Sequence, residues 1–122
     1  MTRRVTVAAI QYAPGLSTDS FAEAEQLVRE AAKKGAQVIL LPELFEGPYF
    51  CKTQDEAHFA KAAPWENHPV VKHFAPLAKE LKVVLPLSLF EQEGPHTYNS
   101  MVMVDADGTP LGVYRKSHIP DG

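Results

Sequence analysis

Gln37-Val38-Ile39-Leu40-Leu41-Pro42-Glu43 is an apolar, partly β-branched run that stops at a proline, with a carboxylate directly after it. Four consecutive apolar residues read as a buried strand, and a proline does not continue a central ladder. Upstream, Lys33-Lys34-Gly35 reads as a helix end, because cations suit the C-terminus and glycine suits the left-handed residue after it. That helix starts near Ser20, where Ser20-Phe21-Ala22-Glu23 has capping-box spacing. Phe21, Ala24, Leu27, Val28, Ala31 and Ala32 then recur along one stripe. Before the Pro14-Gly15 break, Val5-Thr6-Val7-Ala8-Ala9-Ile10 reads as a strand buried on both faces. Strand, helix and strand in this order predict a parallel pair with a right-handed crossover.

Downstream lies a long loop with Gly47-Pro48 and the aromatics Phe45, Tyr49 and Phe50. A short helix is expected over 54–63. Apolar residues at 70, 71, 74, 77, 78 and 81 predict a second helix over 70–81, which Pro76 is expected to bend or split. Val83 to Leu89 reads as a third strand, with Pro86 marking an irregular position or a missing ladder bond. Tyr98–Val104 and Leu111–Arg115 flank the turn Asp105-Ala106-Asp107-Gly108 and predict an antiparallel hairpin. The order points to an α/β layered fold with a mixed sheet.

The 122 residues make room for one small domain with a single core. The net charge of -3 and the scattered basic residues argue against a nucleic-acid partner. No apolar stretch nears the roughly 18 residues of a membrane span, so no membrane partner is expected. One cysteine and no leader-like start lead us to expect a reducing, cytoplasmic setting. Residues 119–122 form an irregular end just after a motif that looks functional. Residues 1–122 are therefore expected to be the N-terminal portion of one larger domain.

Two ionisable residues stand where apolar strands give way to loops: Glu43 after Val38–Leu41, and Lys116 after Leu111–Tyr114. If these strands lie side by side, a general base and a fixed cation converge at one sheet edge. Glu91, at the end of the third strand, is either an exposed carboxylate or a second acid that would suit a cationic substrate tail, and Tyr49 could wall a pocket or pack in the core. Cys51, eight residues after Glu43, reads as a small buried hydrophobe rather than a nucleophile. The five histidines show no metal spacing: His68 and His73 straddle Pro69 and do not share a helix face. No metal or cofactor is expected. Arg115 is expected in a structural ion pair or against a neighbouring chain, and His118 either orients the Lys116 loop or lies at the surface.

Leu40-Leu41-Pro42-Glu43 and Tyr114-Arg115-Lys116-Ser117-His118 resemble the glutamate and lysine motifs of the nitrilase superfamily of carbon–nitrogen hydrolases. The Val7–Gln11 strand, the Ala31–Ala36 helix end and the Asp105–Gly108 turn fall in the same order. The resemblance implies a four-layer α-β-β-α sandwich of which this chain is the N-terminal part, and a homo-oligomer. It also implies a Glu-Lys-Cys triad in which Glu43 is the base and Lys116 faces the oxyanion. The triad cysteine falls later in the family than these 122 residues reach, so this polypeptide alone is expected to be inactive. Phe45–Cys51 and Arg115–Gly122 look most like the branch that hydrolyses N-carbamoylputrescine, which implies a small ureido substrate. The alternatives are another amidase of the superfamily, acting on N-carbamoyl amino acids or ω-amides, and a non-catalytic interaction module.

Overall fold

A computed structural model describes residues 3–12, 20–45 and 62–116. The elements are β1 (Val7–Ala9), α1 (Ser20–Lys33), β2 (Val38–Leu40), α2 (Pro69–Leu81), β3 (Leu85–Glu93), β4 (His96–Val104) and β5 (Pro110–Arg115). A short 3₁₀ turn at Trp65–Asn67 precedes α2. β1 and β2 pair in parallel, Val7 with Val38 and Ala9 with Leu40. β3, β4 and β5 form an antiparallel meander. One parallel bridge, Val38 to Val84, joins the two sets.

The junction follows from the sequence. The Val84 N–H donates to the Gln37 carbonyl at 2.8 Å, and the Val84 carbonyl accepts from Ile39 N at 3.0 Å. Backbone groups alternate sides along a strand, so Pro86 occupies the next position facing β2. It has no N–H to give. The missing bond expected there is where the β2–β3 ladder stops, and residues 41–45 leave the sheet.

α1 ends as its sequence predicts: Gly35 is left-handed (φ +98°), with Gly35 N bonded to Ala32 O and Ala36 N to Ala31 O, the Schellman pattern. α2 opens with Pro69 at its first turn and His68 as N-cap. It runs through Pro76 without splitting, and it ends at Lys82 in the left-handed region (φ 56°). Both helices cover one face of the strands. Ala24 and Val28 from α1 join Val70, Phe74, Leu77 and Ala78 from α2 over Ile39, Leu85, Leu87, Leu89, Val102 and Val104. Phe74 meets Phe45 and Phe21 edge-on at 5.3 and 5.8 Å.

Two expectations are corrected. β1 is not buried on both faces: Ala8 and Ile10 pack toward the helices, but Val7 is 69% exposed. Its face away from the helices continues through Leu40, Met103 and Tyr114, all exposed, so the helices cover only alternate residues. The helix expected over 54–63 falls mostly outside the described residues. Its last residue, Ala63, forms a parallel bridge to Glu91 and is therefore extended, not helical.

Candidate active site

Glu43 lies in the turn that follows β2, and Leu44 behind it is left-handed (φ 49°). For a branched, non-glycine residue that conformation needs support. Ser88 gives it, its Oγ accepting the Leu44 N–H at 2.8 Å. Leu44 itself packs on Phe90, while Phe45 turns to the helix side and is fully buried against Phe74. The turn is thus held on both sides, and the Glu43 side chain projects over the sheet face opposite α1 and α2.

Lys116 follows β5, and its N–H continues the ladder by donating to the Asn99 carbonyl at 2.9 Å. Its Nζ lies 3.0 Å from Glu43 Oε1. The expected convergence is present, but not between neighbouring strands: β3 and β4 lie between β2 and β5, and two long side chains reach across them. Asn99 of β4 stands between, its Nδ2 donating to the same Glu43 oxygen at 2.6 Å. The two charged side chains keep 43% and 39% of their surface, so a reacting group from solvent reaches them. They line a cleft of about 260 Å³ with Leu41, Ser88, Met101 and Tyr114. A second concavity, about 400 Å³ along α1, is bordered by Arg29 and His73, each paired with Glu25.

Residues 6–122 match the model of the carbon–nitrogen hydrolase family. This chain belongs to that family. It is 54% identical to an N-carbamoylputrescine amidase of Arabidopsis thaliana, over 98% of the chain and 40% of the relative. It is 47% identical to a citrullinase of Francisella tularensis, over 85% of the chain and 36% of that protein. The structure superposes on a carbon–nitrogen hydrolase from Helicobacter pylori with a TM-score of 0.84 at 30% identity, covering 96% of this chain and 41% of that one. The chain therefore spans about two fifths of the length of the relatives it matches. The fold is the nitrilase-type α/β fold, and the described residues supply a helix layer and a sheet of it.

For a carbon–nitrogen hydrolase the placement of Glu91 is a correction. It shares strand parity with Leu87 and Leu89, so it points to the helix side, away from Glu43. There it is 1% exposed and held by Arg115, with Nη2 at 2.7 Å and Nε at 2.9 Å, and by the Ser100 hydroxyl at 2.8 Å. The Arg115 guanidinium holds the Glu91 carboxyl below the usual carboxylate range, against the opposing effect of burial. Arg115 also pairs with Glu93 and stacks over Tyr98, the structural ion pair expected of it. Tyr49, Cys51 and His118 lie outside the described residues.

His68 is fully buried. Its Nδ1 accepts the Val70 N–H at 3.1 Å, so the proton sits on Nε2, which donates to the Phe90 carbonyl at 3.0 Å. Burial lowers its pKa, with Glu91 pulling weakly the other way. It is a satisfied structural histidine. Among the described residues no cluster of three or more His, Cys, Asp or Glu is placed to hold a metal.

Sequence reasoning missed Asn99 and Ser88. A signal existed for each. Ser88 is the lone polar residue in the apolar run Leu85–Phe90, where a buried hydroxyl needs a partner. Asn99 lies an odd number of residues from Val102 and Val104, which places it on the face opposite those core residues.

Proposed function

We propose that the protein carrying this segment hydrolyses the ureido carbon–nitrogen bond of N-carbamoylputrescine to ammonia, carbon dioxide and putrescine. The observation that carries the reading is the Glu43–Lys116 contact of 3.0 Å at the mouth of an accessible cleft. The likeness to N-carbamoylputrescine amidases supports the substrate.

In this proposal the nucleophile is a cysteine carried outside these 122 residues, and Cys51 only packs. A thiol of pKa about 8.5 needs a base to attack near neutrality, and Glu43 takes its proton. The thiolate adds to the ureido carbon, and Lys116 faces the negative charge that develops on oxygen. The carbon–nitrogen bond breaks, and ammonia leaves with the proton held by Glu43. A water deprotonated by Glu43 then cleaves the carbamoyl thioester, returning the thiol. The released N-carboxy amine splits into carbon dioxide and putrescine. Glu91, buried on the other face, is not used for the amine tail, and Tyr49 remains the proposed pocket wall. The apolar residues exposed on the sheet favour association, so the proposal includes a cytoplasmic homo-oligomer.

Citrulline is the second reading, favoured by the likeness to a citrullinase. Its ureido group is the same, but its carboxylate asks for an arginine or a helix N-terminus. Among the described residues lining the cleft the one cation is Lys116, already engaged by Glu43. The test is ammonia release by the protein as its gene encodes it, with N-carbamoylputrescine and citrulline side by side. We expect the higher kcat/KM on N-carbamoylputrescine and near-native turnover in Cys51→Ala. Ammonia from neither substrate, or lost turnover in a folded Cys51→Ala, overturns the proposal.

A further inference from the structure

Asn99 touches both members of the Glu43–Lys116 pair, each with a different group. Its side-chain amide donates to Glu43 Oε1 at 2.6 Å, and its main-chain carbonyl accepts the Lys116 N–H at 2.9 Å. The side chain is 4% exposed and sits in the middle of the meander, opposite Phe90. An ionised carboxylate only accepts hydrogen bonds, so the Asn99 amide presents its NH₂ to it.

We propose that Asn99 is the positioning residue of this site, fixing which oxygen of Glu43 faces Lys116 and which stays open to a proton. The inference rests on the reading of Glu43 as the general base. With Lys116 and Asn99 both on Oε1, that oxygen is fully engaged, and among the described residues Oε2 has no donor. Oε2 is thus the oxygen left to take a thiol or water proton. The same residue ties the base to the cation: β4 holds the Lys116 backbone by the Asn99 carbonyl and the Glu43 head by the Asn99 amide. Misplacing a reacting group by about 1 Å costs on the order of 100-fold, which sets the scale for losing such a tether.

The experiment compares Asn99→Ala and Asn99→Asp in the protein as its gene encodes it, each alone and with Glu43→Gln. Asn99→Ala should lower kcat by roughly 10–100-fold with little change in KM. Asn99→Asp is isosteric, yet it sets a carboxylate against Glu43, so its kcat should fall roughly tenfold further. A residue that merely filled space would give the reverse order. Thermal unfolding supplies a readout independent of substrate. Asn99→Asp should melt well below wild type, and adding Glu43→Gln should restore much of the loss, because the new amide donates to the new carboxylate. Wild-type kcat in Asn99→Ala, Asn99→Asp no worse than Asn99→Ala, or no thermal recovery in the double variant each overturns the proposal. Should Asn99→Asp fail to fold alone, folding on addition of Glu43→Gln supports it and continued failure rejects it. If Glu43→Gln alone kept turnover, the general-base reading would fall, while the melting pair would still decide the contact.

Discussion

On the helix side of β3, β4 and β5, Glu91 is sealed between Arg115 and Ser100. On the other side of the same strands, Glu43 is held by Lys116 and Asn99. The two clusters are built from adjacent residues, Asn99 beside Ser100 and Arg115 beside Lys116, sent to opposite faces by the pleat. One carboxylate is 1% exposed, whereas the other keeps 43% of its side-chain surface. Burial makes the first pair structural: removing Arg115 would strand the Glu91 carboxylate where water cannot reach. Exposure makes the second pair nearly worthless for stability and leaves its acid open to the cleft.

Substitutions on the two faces should therefore fail in different ways. Glu43→Gln keeps size and polarity but removes the proposed base from both half-reactions of the proposed mechanism, so kcat should fall by about 10⁴-fold. Its melting temperature should hardly move, since exposed pairs contribute little. Ammonia release and calorimetry on one preparation check both halves, and a folded Glu43→Gln enzyme with turnover would break the contrast. Glu91→Ala should do the opposite, costing about 2–3 kcal/mol of unfolding free energy in urea. That is below the usual cost of breaking a buried pair, because the Arg115 guanidinium can turn to water. A large loss of turnover with unchanged stability would mean that Glu91 serves the substrate after all.

The smallest expected effect is in pH. Burial favours neutral His68 in the fold, so as pH falls the unfolded chain takes up this proton first. Its contribution is whole above the ordinary value of about 6.5 and declines as pH drops below it. Glu91 sits below the usual carboxylate range, so its contribution is whole above about 4.5 and is lost as pH falls through its folded value. The urea midpoint should therefore slip in two stages, the upper set by His68 and the lower by Glu91. His68→Asn keeps an N-cap acceptor and should flatten the upper stage. A wild-type midpoint that stayed level from about pH 8 to pH 5 would contradict the burial argument.

Much of the architecture was legible. Lys33-Lys34-Gly35 gave the helix stop, the Val38–Leu41 run gave the parallel strand, and Asp105–Gly108 gave the β4–β5 hairpin. Each is a local signal, a cap, a period or a turn, and local signals survive packing. The convergence of Glu43 and Lys116 was also legible, because both follow strands. The face of Glu91 was not. It depends on counting parity along a strand that begins at Leu85 and ends at Glu93, and a one-residue error in register reverses every side chain. β1 misled for a related reason: an all-apolar run says nothing about how many faces the helices reach.

Pro86 has a consequence that goes beyond one lost hydrogen bond. Ladder growth between parallel strands behaves like a zipper, each closed bond presenting the next pair in register. A residue with an N–H at 86 would offer a donor to the Ile39 carbonyl and lengthen the β2–β3 ladder toward Leu41, where Pro42, itself without an N–H, sets a second stop. The imino ring is the stop that leaves the teeth apart. Into that gap come the Leu44 N–H, anchored on Ser88, and the acid in front of it. The opening in which Glu43 stands is bordered by an absent hydrogen atom.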